Sequence, residues 1–297
     1  MSLYSFFART VSDPGYPLRR MQWEAWRWTS ERDVQVSSLH GAMSFSSKDQ
    51  IIGRALYLTR EFAMRDIETA CRILVQEGKL SRTGNACLLD IGANIGTNCV
   101  PLLKNGLFKS AWAFEPEEKN VSYLLKNIRQ NHLEKAVQVF PFALSDTAGT
   151  AELLMSDSNY GDHRVQVGTS AGGSELKQRA KKKIEIKMLD EIMAQPENIQ
   201  TEVSLIWLDT QGHEAKILRG ARTLLSKGVP MVTEFWPEGI ENSGESIDTF
   251  CTELTRHYRF FFDLREKEPI KRPCSELLTL AREYAKNRDY TDLVLIN

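Results

Sequence analysis

No run of the roughly 18 apolar residues that a membrane span requires occurs in this 297-residue chain, and no Cys-x-x-Cys pair marks a zinc or redox site. Its five cysteines, Cys71, Cys87, Cys99, Cys251 and Cys274, are odd in number, which argues against a disulfide framework and for a reducing compartment. Neither sign of charge is in excess. Thirty-eight basic residues against 39 acidic ones leave a net charge of -1, so no global field favours a phosphate backbone and no nucleic-acid partner is expected. The run Lys181-Lys182-Lys183 reads as a solvated strand edge. Residues 1–9 lack the apolar core of a signal peptide, and no internal repeat is visible. These absences lead to the expectation of a soluble, cytoplasmic protein with no membrane partner.

What is present is a full core. With 42% apolar residues the chain should hold one large α/β domain, here placed at residues 81–297, behind an N-terminal extension at 1–80. Within that extension Ile51, Ile52, Leu56, Phe62, Ile67, Ala70, Ile73 and Leu74 recur at helical spacing, which predicts a helical cap. From Cys87 onward apolar runs alternate with helical patterns: Cys87-Leu88-Leu89-Asp90, Ala111-Trp112-Ala113-Phe114, Val137-Gln138-Val139-Phe140, Val203 to Leu208 and Met231 to Phe235. Alternation of this kind implies a parallel sheet with right-handed crossovers. Two further strands, at Tyr258 to Phe262 and Asp292 to Ile296, close one edge as an antiparallel pair, for seven sheet strands in all. Residues 156–173, rich in Ser, Gly, Asp and Asn, break the rhythm as an irregular insertion that either covers a site or is a plain surface loop, before Ile184-Glu185-Ile186 resumes as a strand.

The chemistry-bearing stretch is Leu88-Leu89-Asp90-Ile91-Gly92-Ala93-Asn94-Ile95-Gly96, a buried strand breaking into a Gly-rich turn, followed by a strand ending in Phe114-Glu115-Pro116. A dinucleotide site needs G-x-G-x-x-G, and the corresponding positions here are Gly92, Asn94 and Thr97, so NAD is disfavoured. Gly92-x-Asn94-x-Gly96 instead permits a tight turn, partly left-handed at Gly92 and Asn94, expected to leave an amide-lined notch for a small zwitterion such as the methionine end of S-adenosylmethionine. Asp90 is placed to meet the ammonium group. Glu115, one crossover helix later, can accept bonds from both ribose hydroxyls. Ala143, Leu144 and Asp146 fall where an adenine ring would lie, although Asp146 reads equally well as a turn residue with Gly149.

Assembled, these pieces resemble the FkbM family of S-adenosylmethionine-dependent methyltransferases over about residues 49–235. The resemblance rests on Leu89 to Gly96, on Phe114-Glu115-Pro116 with Asn120 and Leu124-Leu125-Lys126-Asn127, on Ala143-Leu144-Ser145-Asp146, and on Leu208-Asp209-Thr210-Gln211-Gly212-His213-Glu214 with Ile217-Leu218-Arg219-Gly220-Ala221. It implies a Rossmann-like class I methyltransferase fold, a seven-stranded, mostly parallel sheet with an antiparallel edge strand. It further implies S-adenosylmethionine as cofactor and O-methylation of a hydroxyl on a small-molecule acceptor, a sugar or natural product. The chain departs from the family's Asp-x-Glu-Gly-x-Glu segment at Gln211, where an acid is usual. That departure leaves a catalytically inactive scaffold of the same fold as an alternative.

In such a fold the fourth strand ends at Asp209, over the methyl site, and Gly212-His213-Glu214 opens the next helix. Asp209, His213 and Glu214 are therefore candidate catalytic groups, with Glu234 at the end of the fifth strand pointing to the same edge. The helix N-terminus should lower the pKa of His213 and keep it neutral. Each has a plainer role open to it: Asp209 or Thr210 as a cap, Glu214 as a complement to the helix dipole. No resident metal is expected, although a metal-assisted variant would use Asp209 with Glu234 or His213. His163, in the insertion, either meets the substrate or faces solvent. The first fifty residues either fold over the site or pair with a second copy of the chain.

Overall fold

The computed structural model describes residues 13–80, 86–167, 176–198 and 201–297. The extension begins with helix α1 (Tyr16–Arg27), which has a proline in its first turn and buries Tyr16 and Trp23. A hairpin follows, β1 (Asp33–Ser38) and β2 (Gly41–Ser46), then helices α2 (Ile52–Thr59) and α3 (Met64–Gln76). The sequence reading of an all-helical cap therefore missed a hairpin. Its signal is short: Val34 and Val36 alternate inward, Met43 and Phe45 answer from the partner strand, and Gly41 at φ +104 closes the turn.

The main domain runs β3 (Cys87–Ile91), α4 (Cys99–Lys104), β4 (Ser110–Phe114), α5 (Glu118–Gln130) and β5 (Val137–Phe140). A smaller group follows: β6 (Ala143–Leu144), β7 (Gly149–Leu154), β8 (Arg164–Gln166) and β9 (Lys181–Lys187). The chain then returns through α6 (Leu189–Met193), β10 (Val203–Leu208), α7 (Glu214–Arg219), α8 (Arg222–Leu225), β11 (Met231–Phe235), α9 (Pro237–Asn242), α10 (Ile247–His257), β12 (Phe260–Asp263), β13 (Arg272–Pro273), α11 (Leu277–Asn287) and β14 (Thr291–Ile296).

The large sheet has the order β13-β12-β14-β11-β10-β3-β4-β5, with β3, β4, β5, β10 and β11 in parallel register and β14 antiparallel to both β11 and β12. The seven expected strands are all in it, and the eighth is the two-residue β13. The reversed strand, β14, is not at the edge as expected but two places in, with β12 and β13 outside it. Every residue of β3 and β11 is buried, as continuous apolar runs covered on both faces require. Alternate side chains feed two cores: Leu88, Leu205 and Val232 pack on one face with α3, α4 and α5, while Leu89, Ile206 and Met231 pack on the other with α7, α10 and α11.

Ile184 and Ile186 do lie on a strand, but β9 belongs to a separate four-stranded sheet, β6-β9-β7-β8, with its own small core. Lys181 and Lys183 are exposed on that strand, and Lys181 pairs with Glu152, in line with a solvated strand. The insertion carries β8, and its stretch 168–173 lies outside the described residues, as do residues 1–9. Among the described residues no helix is long and apolar enough to cross a membrane.

Candidate active site

The carboxyl ends of β3, β4, β10 and β11 open together into a cavity of about 720 Å³. Gly92 is required by a close crossing: it holds φ +85, and a Cβ there would lie 1.8 Å from the Asp209 carbonyl oxygen on the neighbouring strand end. Asn94 adopts φ +50 and Gly96 φ +93, so the turn is left-handed at three points, one more than expected. The amide-lined notch does not form as expected. The amides of Gly92 and Ala93 both donate to the Phe114 carbonyl, Asn94 N donates to Glu115, Ile95 N to the Asn94 side chain and Gly96 N to the Ala93 carbonyl. All five donors are used within the protein because the turn folds against the adjoining strand tip.

Glu115 is buried at that tip. Its Oε2 accepts from Asn94 N at 2.9 Å and its Oε1 from Glu117 N at 2.9 Å, and burial pushes its pKa up to about 7. Each oxygen keeps a lone pair for a further donor. Asp90, also buried, accepts from Cys99 N at 3.0 Å through Oδ2, while Oδ1 has no hydrogen-bond partner; burial raises its pKa to about 6. Pro116, Ala143 and Leu144 line the cavity.

Asp146 does not. It accepts from Arg219 Nε and Nη2 at 3.1 and 2.8 Å, and Arg219 also pairs with Glu245, so the carboxylate is turned away into an ion-pair network between β6 and α7. A strong guanidinium partner one helix away outcompetes a position beside a ring.

The insertion covers this half of the cavity. The Tyr160 carbonyl receives Asn94 Nδ2 at 2.8 Å and Asn120 Nδ2 at 3.0 Å, and Lys119 Nζ lies 4.8 Å from the Tyr160 ring centroid. From the extension, Gln50 N donates to the Ser158 carbonyl at 2.7 Å, and Ile52 packs so closely on Gly161 that a Cβ would approach it to 2.9 Å. The extension thus folds over the site. His163, stacked beside Tyr160 with centroids 6.0 Å apart, lines the cavity, so it does not face open solvent. Tyr160 escaped sequence reasoning because its contribution is a backbone carbonyl, which no side-chain pattern reveals.

At the other half, Asp209 and Glu234 line the cavity and Gln211 joins them: its Nε2 donates to Asp209 Oδ1 at 2.8 Å and to Glu234 Oε1 at 3.1 Å. Glu234 Oε2 is buried without a partner. Burial, followed by the charges of Asp209 and Glu214, holds the Glu234 carboxyl well above the ordinary range. Glu214 is turned inward from the cavity, accepting from Thr210 N at 2.7 Å and Thr210 Oγ1 at 2.9 Å. It pins the loop, and burial sets its pKa at about 7. Asp292 and Tyr290, at the start of β14, also face the cavity; nothing in their spacing marks them.

His213 is buried on the cavity wall with Nε2 3.0 Å from Ser145 Oγ. Its pKa is lowered to about 3, chiefly by burial and then by Lys216. It is neutral, as expected, but the helix end is not the main cause, and an imidazole so depressed is a weak base. This weighs against His213 as the group that takes a proton.

A family profile described as "Methyltransferase FkbM domain" matches residues 90–262, more than half of the chain. The chain belongs to the FkbM methyltransferase family. Its large sheet is mostly parallel with helices on both faces, as in a Rossmann-like α/β fold. Among solved structures it is similar to an FkbM methyltransferase from Methylobacillus flagellatus, at 17% identity and a TM-score of 0.44 over 71% of this chain and 43% of that one. It is also similar to StiE O-MT, at 8% identity and a TM-score of 0.42 over 82% and 75% of the two chains. A third is a Streptococcus pneumoniae protein, described as a putative tRNA methyltransferase in complex with S-adenosyl-L-methionine, at 15% identity and a TM-score of 0.36 over 78% and 72%. The chain spans less than half the length of the Methylobacillus structure. No curated protein matches it.

Proposed function

We propose that this FkbM-family chain is an S-adenosylmethionine-dependent methyltransferase acting on a hydroxyl of a small-molecule acceptor, a sugar or natural product. One observation carries the reading: a buried acid at the tip of β4 and a pair of acids at the tips of β10 and β11 face the same cavity, Glu115 on one side and Asp209 with Glu234 on the other. The residues present fit the cofactor. Glu115 has lone pairs free for two ribose hydroxyls, and Ala143 and Leu144 offer an apolar seat for a ring; Asp90, fully buried behind the cavity wall, keeps Oδ1 without a donor and would meet an ammonium group through water. When bound, the sulfonium supplies an electrophilic methyl group with a good leaving group.

The chain's own contribution is then placement and proton removal. Holding the acceptor oxygen in line lowers the barrier by up to roughly 7–11 kcal/mol, and a positioned base adds about 10²–10⁴ in rate. Asp209 is the best-placed base: half-buried, on the cavity wall and held by Gln211, whereas Glu214 is engaged by Thr210 and His213 is too weakly basic. The Tyr160 segment excludes water from the cofactor side. The five buried thiols suit a reducing cytoplasm, where we place the protein.

Calorimetric titration with S-adenosylmethionine and with NAD tests the cofactor, and release of S-adenosylhomocysteine across a panel of hydroxylated acceptors tests the reaction. Binding without turnover over a broad panel would support the scaffold alternative, and no binding of S-adenosylmethionine would overturn the reading.

A further inference from the structure

We propose that Asp209, Glu214 and Glu234 form a binding site for one divalent cation of the hard, oxygen-seeking class, Mg²⁺, Mn²⁺ or Ca²⁺, at the ends of β10 and β11. One carboxylate oxygen from each lies within 4.8 Å of the others, the spread that three ligands around one small ion require once they close on it. Carboxylate clusters are common without ions, so the second observation matters. Glu234 is 7% exposed, and on this carboxyl group, one of the three in the cluster, Oε2 has no hydrogen-bond partner. Leaving a buried carboxylate oxygen unpaired is costly, and a cation is the partner that removes the cost.

Among the described residues that line the cavity, no cationic side chain is left over for this cluster. The two arginines that line the cavity are committed elsewhere, Arg164 to Asp162 at 2.7 Å and Arg288 to Glu238 at 2.7 Å. Asp292, facing Glu234 across the β11–β14 ladder, adds a further acid. The donor that Asp209 and Glu234 share is the neutral Gln211 amide, which orients two of the three ligands and, turned over, would present a carbonyl oxygen as a fourth. An acid at position 211 would add charge, so glutamine there suits a site already holding three acids.

The ion's use in catalysis rests on the reading given under Proposed function; its binding does not. Bound there, it would polarise an acceptor hydroxyl beside the cofactor, easing passage of the proton to the Asp209 carboxylate oxygen that does not hold the ion as the acceptor oxygen forms its bond to the methyl carbon and the carbon–sulfur bond breaks. Mn²⁺ titrated into the full-length protein, followed by the electron paramagnetic resonance signal of the free ion, should show one saturable site per chain. Glu234→Gln and Asp209→Asn should each weaken that site at least about tenfold, with a circular dichroism spectrum matching the parent. Asp209, on the cavity wall, serves if the Glu234 variant does not fold. Absence of a saturable site up to about 1 mM Mn²⁺, or titrations of both variants superimposable on the parent, would overturn the proposal. S-adenosylmethionine calorimetry on the same samples separates the two readings: cofactor binding without Mn²⁺ binding removes the ion alone, and the reverse removes the cofactor.

Discussion

Asn94, in the turn after the first parallel strand, donates through Nδ2 to the carbonyl of Tyr160 at 2.8 Å, while its own amide donates to Glu115 at 2.9 Å. One residue therefore ties the proposed ribose-binding acid to the segment that covers it. Asn94→Gly keeps the left-handed backbone and removes only the side chain. The expected result is faster hydrogen exchange at residues 156–163 and a cofactor affinity lower by about 1–2 kcal/mol, with the melting temperature little changed. Parent-like exchange in that segment would show that Asn120 alone suffices to hold it.

Glu115 gives the cofactor site a pH dependence with a definite sign. Its pKa is raised to about 7 because burial disfavours the charged form, and the charged form is the one that accepts from two hydroxyls. Affinity should therefore be full above pH 7 and fall as pH drops through it, by about tenfold per unit below. Glu115→Gln should weaken binding at pH 8 and flatten the profile. Calorimetry at several pH values checks both, and a pH-independent affinity in the parent would remove Glu115 from the ribose.

Asp209→Asn should retain cofactor affinity and lose turnover by about 10²–10⁴, the contribution of a positioned base. A loss confined to KM would make Asp209 a binding group only.

Asp146→Asn separates ion-pair structure from adenine recognition. Because Arg219 holds this carboxylate outside the cavity, the variant should lose about 1 kcal/mol in urea unfolding yet bind S-adenosylmethionine as the parent does. A tenfold drop in affinity would restore Asp146 to the cofactor.

Gly92→Ala tests the crossing of β3 and β10. The added methyl meets the Asp209 carbonyl oxygen at 1.8 Å on a backbone at φ +85, so the loss should exceed about 3 kcal/mol, measured by urea unfolding.

The parallel strands were legible because most are short, largely apolar runs buried on both faces, and the positions of Glu115, Asp209 and Glu234 were legible because the fold puts strand ends at its ligand edge. Less was legible where a residue's partner lies far along the chain. Asp146 reads equally as an adenine contact or a turn residue, and neither reading reveals its partner Arg219, 73 positions later. The turn at 92–96 has the right shape, but whether its amides stay free depends on Phe114 and Glu115, which no local pattern encodes. The hairpin at residues 33–46 hid behind a two-residue alternation, and its place is set by Asn127 of α5 and Asn131 just beyond it, whose side chains bond the backbone of Ser44 and Ala42.

The docking of residues 49–52 on the 158–161 stretch has a practical corollary for engineering this protein. A protein trimmed to start at Cys87 would keep every strand of the large sheet and all the acids discussed above, yet half of its cofactor chamber would stand roofless, since Gln50 and Ile52 brace the stretch that closes it. Shortening the front of this polypeptide should therefore first be felt as leakiness toward the nucleoside, before any loss of the α/β body itself.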